Sequence, residues 1–250
     1  MIISSSFKPA SYLSNPHLQT ILANIIKPAF PEVSYERVKL ADGDSLQLAR
    51  GNTRARVTVL ILHGLEGSLQ SAYAQRLMNA LNRTGIAAAF MFFRGCDGQP
   101  NRKLRSYHSG ETGDLRQVIE YLKRTGSEKI ILVGYSLGGN ATLKYLGEGD
   151  YDDAVVAAVA VSVPMLLDVC AERMNNGFSR VYQHTLLQRL KQKLRQKEQL
   201  LPAIAAGDKL VTLALQEGPH HAPEQVSATA ATEGDDWVIS GCKVLVLDAH

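Results

Sequence analysis

The sequence predicts an α/β fold, a mostly parallel sheet with helices on both faces. Three observations carry that reading. The runs Val57–Leu62, Ala87–Phe93, Ile130–Val133 and Ala154–Val161 are solidly apolar rather than alternating, which marks strands covered on both sides. Segments of helical spacing separate them, and strand–helix–strand order implies right-handed crossovers. Gly134-Tyr135-Ser136-Leu137-Gly138 spells G-x-S-x-G between one of those strands and a helix-compatible stretch, Gly139 to Gly147. Strand, sharp turn and helix in that order lift a serine oxygen out at the carboxyl edge of a sheet.

The elements follow in chain order. Tyr35–Leu40 and Leu46–Arg50 read as a hairpin around Asp42-Gly43-Asp44. Ser71–Thr84 carries Tyr73, Leu77 and Leu81 at four-residue steps and stops at Gly85, a helix end. Leu115, Val118, Ile119 and Leu122 form a second helical stripe that ends near Gly126. Beyond Pro164 the pattern changes to a helical cap segment, residues 165–200. Its long helix carries Val181, Tyr182, Leu186, Leu190 and Leu194, with Arg189, Lys191, Lys193, Arg195 and Lys197 around them. Those cations read as a solvated face, with a membrane-surface or nucleic-acid-binding helix as the sharper alternative. Residues 203–242 read as irregular. Val244-Leu245-Val246-Leu247 reads as one more buried strand.

Bulk properties bound the function. A chain of 250 residues with 45% hydrophobic and 20% charged residues suits a single globular domain over 1–250. A net charge of +3 is too small to imply nucleic acid. Cys96, Cys170 and Cys242 match no metal or redox spacing, and a sparse, odd count suits a reducing compartment. The N-terminal residues lack a signal-peptide pattern, and no apolar run reaches the ~18 residues of a membrane helix. The expectation is a cytoplasmic protein with no stable membrane insertion, no metal and no cofactor.

The chemistry centres on Ser136. A serine at its free pKa is a poor nucleophile and needs a base. His63-Gly64-Leu65-Glu66-Gly67 ends the Val57–Leu62 strand, and a glycine-rich loop there can aim the Leu65 N–H at a developing oxyanion. The second donor is the N–H of Leu137.

Further motifs join these: Asn15-Pro16-His17-Leu18-Gln19-Thr20, Phe93-Arg94-Gly95-Cys96, Tyr107-His108-Ser109-Gly110-Glu111-Thr112, and Gly177-Phe178-Ser179-Arg180-Val181-Tyr182. With the G-x-S-x-G and H-G segments, they resemble the YheT-like branch of the α/β-hydrolase superfamily over about residues 7–200. The resemblance implies an α/β-hydrolase fold with a helical cap insertion. It implies a Ser–His–Asp serine esterase acting on a small-molecule ester or lipid-like substrate. Ser136 falls on the family nucleophile and Leu65 on its oxyanion loop.

The later family segments, F-D-D, H-G-F/Y, Y-Y-R and G-G-H, do not occur in this chain. Asp248 and His250 fall just before the family's acidic pair. The family acid and histidine therefore have no matching position, and the expected fold lacks its last strand and helix. The alternative is a catalytically inactive, truncated or frame-changed relative that keeps the fold and cleft, with the frame change near Pro202. Of the other histidines, His63 is expected to shape its turn and His108 to hold a loop, with a minor reading as substitute base. His184 is expected on the exposed side of the cap helix, and His220 and His221 in a loop. The sequence specifies neither an acyl-chain length nor an oligomeric state.

Overall fold

The structure, a computed structural model, describes residues 6–26, 28–53, 55–103, 105–198, 213–216, 229–233, 236–240 and 244–247. Helix α1 (Pro16–Ile25) begins at Asn15, whose side chain accepts from the His17 and Leu18 N–H groups. Proline in the first turn loses no helical bond, because that N–H has no acceptor in any case. Strands β1 (Val33–Lys39) and β2 (Ser45–Gly51) form the expected hairpin, with Lys39 opposite Ser45. Then follow β3 (Val57–Leu62), α2 (Ala72–Thr84), β4 (Ala87–Met91), α3 (Gly113–Arg124), β5 (Lys129–Tyr135), α4 (Leu137–Gly147) and β6 (Val155–Val161).

These strands make one six-stranded sheet in the order β1-β2-β4-β3-β5-β6. The hairpin side is antiparallel, and β4, β3, β5 and β6 run parallel. Helices α3 and α4 cover one face: Leu115, Val118, Ile119, Leu122 and Tyr145 pack with Leu60, Leu62, Ile130 and Leu132. Helix α2 covers the other, where Ala74, Met78 and Leu81 meet Val59, Ile61, Phe90 and Val133. The chain leaves β3 for β4 on one side and returns to β5 on the other. Strand order thus reverses at β3, and ligands of open parallel sheets sit at the carboxyl ends beside such a point.

Two expectations need correction. The run forming β6 was expected to be buried on both faces, yet Val156 and Val159 are 51% and 50% exposed. Strand β6 is the edge of the sheet, with β5 as its only strand neighbour among the described residues. The segment read as irregular contains short strands β7 (Leu213–Gln216), β8 (Thr229–Glu233) and β9 (Asp236–Ser240). β8 and β9 pair antiparallel, flanking a Gly234-Asp235 turn signal that the apolar count overlooked. The last apolar run forms a strand as expected, β10 (Val244–Leu247), and pairs antiparallel with β7 in a two-stranded sheet. After β6 come two helices, α5 (Leu167–Met174) and α6 (Ser179–Glu198).

Candidate active site

Strands β3 and β5 leave the sheet side by side, with Leu62 opposite Gly134. Ser136 follows β5 with φ 52° and ψ −118°, a conformation that L-residues rarely adopt. Such a backbone costs about 1–3 kcal/mol and persists only where its surroundings hold it. Here the Ser136 N–H donates to Val161 O at 2.8 Å, and Ser136 O accepts from the Gly139 and Asn140 N–H groups. The side chain makes no cap bond to the helix it starts, and the residue is half-buried rather than sealed in the core. Leu137 is the first residue of α4, so its N–H has no acceptor within the helix.

Close packing sets the elbow beside the loop after β3. A Cβ on Gly64 would lie 3.1 Å from Ser136 Cβ and 3.7 Å from its Oγ. A Cβ on Gly138 would lie 2.5 Å from Leu62 O and 2.7 Å from His63 O. Backbone meets backbone there, and no flexible side chain can yield. Gly138→Ala is expected to push α4 away from β3, lowering stability by about 1–3 kcal/mol. Gly147→Ala, at the far end of the same helix with open space around it, is the control. Its unfolding free energy should change by less than about 1 kcal/mol, and denaturant melts of both variants check the contrast.

The loop after β3 is a turn closed by the Gly67 N–H donating to Gly64 O at 2.9 Å. Glu66 takes φ 53° at its third position, as a type II turn requires. His63 anchors the turn from below. It is fully buried, its Nδ1 lies 2.6 Å from Gly64 O, and its Nε2 accepts the Phe93 N–H at 3.1 Å. Both ring nitrogens are thus committed to backbone, with the proton on Nδ1. Burial pushes its pKa down from 6.5 to about 4, and the nearby Lys193 charge acts in the same direction. The fold therefore favours neutral imidazole. That contribution, about 3 kcal/mol, is complete above pH 6.5 and lost as pH falls toward 4. Unfolding free energies between pH 7 and 4.5 should fall less steeply in His63→Asn than in the parent.

Two buried ionic clusters brace this edge. Arg94 is fully buried and binds both oxygens of Asp114 at 2.7 Å, Asp42 at 2.7 Å and Asp44 at 3.3 Å. It ties the β1–β2 turn to the start of α3. Glu66 is the centre of the second. Its N–H donates to Tyr107 Oη at 2.8 Å, and Tyr107 O–H donates back to Oε1 at 2.7 Å. Lys193 Nζ, on α6, reaches the same Oε1 at 2.8 Å. The cations of α6 are thus not all a solvated face: Lys193 turns inward because a buried carboxylate awaits it.

The remaining histidines stand elsewhere. His108 Nδ1 accepts the Gly110 N–H at 3.1 Å and its Nε2 lies 4.0 Å from Glu111, so it holds its own loop. His17 packs against Phe178 and Tyr182, and His184 is exposed. His220, His221, Asp248 and His250 lie outside the described residues. A cavity of about 480 Å³ opens between β1, β2 and residues 93–102, lined by Arg37, Asp44, Arg94 and Asn101 among others. Neither Ser136 nor Leu65 lines it, so it is distinct from the elbow. Among the described residues, no helix is long and apolar enough to cross a membrane.

In the sequence Arg94, Glu66 and Tyr107 stand in motifs without an assigned role, and Lys193 reads as surface. The available signal was charge type: a lone Glu inside an apolar glycine loop requires a cation or a donor once buried.

YheT of Escherichia coli (strain K12), an esterase by name, is 43% identical over 194 residues, which cover 75% of this chain and 57% of that protein. Phospholipase ABHD3 of Homo sapiens is 26% identical over 185 residues, covering 69% of this chain and 45% of that protein. The esterase Pf2001 of Pyrococcus furiosus shares the fold with a TM-score of 0.50 at 22% identity, covering 59% of this chain and 57% of that one. The chain spans about half the length of the curated relatives it matches. The alpha/beta hydrolase fold description matches residues 57–239, from the start of β3 through the elbow and beyond, and on that match the chain belongs to the alpha/beta hydrolase fold family.

Proposed function

We propose that the protein is a serine hydrolase of carboxylic esters, working through an acyl-enzyme on Ser136. The observation that carries the reading is the elbow: a strained serine at the carboxyl end of β5, with the Gly64 loop packed against it. In this reading Oγ attacks the ester carbonyl. The oxyanion lies between the N–H groups of Leu65 and Leu137, each worth about 3 kcal/mol to the transition state. The alcohol leaves with a proton, and water then releases the acid. A base takes the Oγ proton in the first step and returns it to the leaving alcohol.

The same reading favours an apolar, lipid-like acyl group. Gly139 packs on Val163, and Asn140 Nδ2 donates to Pro164 O at 3.1 Å. The chain then emerges beside the elbow as Met165 and Leu166, 71% and 51% exposed. Leu65, in the loop after β3, is also exposed. The phospholipase name of one relative points the same way. In this reading α5 and α6 act as the cap over this opening.

Stopped-flow hydrolysis of p-nitrophenyl butyrate and p-nitrophenyl octanoate tests the proposal. A burst of p-nitrophenol followed by a slower steady state is the sign of an acyl-enzyme. Absence of any turnover from a folded sample would favour the inert relative.

A further inference from the structure

Helix α6 reaches back across the chain to the turn that carries Leu65. Lys193 Nζ donates to Glu66 Oε1 at 2.8 Å across 127 positions of sequence. Arg189 Nη1 approaches Glu66 O at 3.4 Å from one turn earlier. The Glu66 side chain is 3% exposed and Lys193 26%. Lys193 also lies 2.9 Å from Cys96 Sγ and 5.4 Å from the centre of the Tyr107 ring. A buried carboxylate with its cation removed is strongly unfavourable, so Glu66 and Lys193 keep each other in place.

The residue they hold is the one with the left-handed backbone. Glu66 shares a peptide with Leu65, and its N–H and carboxylate both bond Tyr107. If the carboxylate turned toward water, the Tyr107 bond and the turn geometry would go with it.

We propose that Lys193 is a positioning residue: by seating α6 on Glu66, it holds the Gly64–Gly67 turn in the conformation that aims the Leu65 N–H beside Ser136. The inference rests on the esterase reading of Ser136 and Leu65. The cap helix and the oxyanion turn then form one mechanical unit. A cap displaced from Glu66 leaves the nucleophile in place but the oxyanion hole misaimed.

The test uses the full chain with Lys193→Met and Lys193→Arg, each also made in Glu66→Gln. With p-nitrophenyl butyrate, Lys193→Met is expected to lower kcat about ten- to hundredfold, short of the ~10²–10³ for loss of a whole donor. KM should change by less than about twofold, as befits a donor that acts only in the transition state. Lys193→Arg should restore most of kcat. In Glu66→Gln the Lys193→Met effect should shrink to less than about threefold, because the buried charge is gone. A second readout needs no turnover. Hydrogen exchange of the turn amides, the Glu66 N–H above all, should accelerate in Lys193→Met and recover in Lys193→Arg.

Unchanged kcat and unchanged exchange in a folded Lys193→Met would overturn the inference while leaving the esterase reading intact. An equal drop in both Glu66 backgrounds would also overturn it. If only a melting shift appears, with kcat and turn exchange preserved, Lys193 is structural and the inference is wrong. If the protein shows no ester turnover, the esterase reading fails and the positioning role falls with it. Exchange then still reports whether α6 holds the turn.

Discussion

Ser136→Ala is expected to abolish ester turnover, with kcat falling by up to about 10⁶-fold. The variant should fold as the parent does. The elbow is held by backbone bonds to Val161, Gly139 and Asn140, and the hydroxyl makes no cap bond to α4. Alanine keeps those bonds and adds no volume. Its melting temperature should therefore lie within about 2 °C of the parent, since surface and half-buried changes without a broken contact stay within ±0.5 kcal/mol. Binding of a non-hydrolysable ester analogue should survive. Loss of binding together with activity would mean that Ser136 shapes the site rather than reacting in it.

The largest expected effect on stability is at Arg94. Arg94→Leu leaves Asp114 buried with its two strongest bonds gone, and an uncompensated buried charge costs about 3–5 kcal/mol. In a domain of this size that corresponds to a melting temperature roughly 10 °C lower. Asp44 suffers less. Burial alone would raise its carboxyl, but hydrogen bonds from Asn101 and from the backbone of Ser45, Lys103 and Arg102 hold it below the ordinary value. The double variant Arg94→Leu, Asp114→Leu should therefore recover most of the loss, because hydrophobic replacement of a buried pair is often neutral. Differential scanning calorimetry of parent, single and double variants checks this. If the double variant is no better than the single, the Arg94–Asp114 pair is not the source of the effect.

The core of the fold was legible because burial leaves a local trace. Val57–Leu62, apolar but for Thr58, and Ile130–Val133 stand out as strands, and the helices between them end at or near glycines, so β3, β5, α2 and α3 stand where the pattern put them. The elbow was legible because its G-x-S-x-G spacing directly follows a strand-like run, although the contacts that demand Gly138 come from Leu62 and His63, far off in sequence. Helix α1 was not recognised, although Asn15-Pro16 is a helix-start signal. Helix α6 was recognised, but the inward turn of Lys193 was not, since a lysine among lysines looks solvated until its partner, far off in sequence, is brought near. The same holds for Arg94, whose aspartates at positions 42 and 44 read as turn formers. The half-exposed valines of β6 were misjudged because an apolar run reveals composition and not whether a neighbour lies beyond the strand.

The most direct measurement exposes the folded protein to a fluorophosphonate and maps the adduct by peptide mass spectrometry. The account expects a single adduct, on the peptide that carries residues 130–144, on Ser136, and none in Ser136→Ala. A folded sample that stays unmodified, or one modified at another residue, would contradict it.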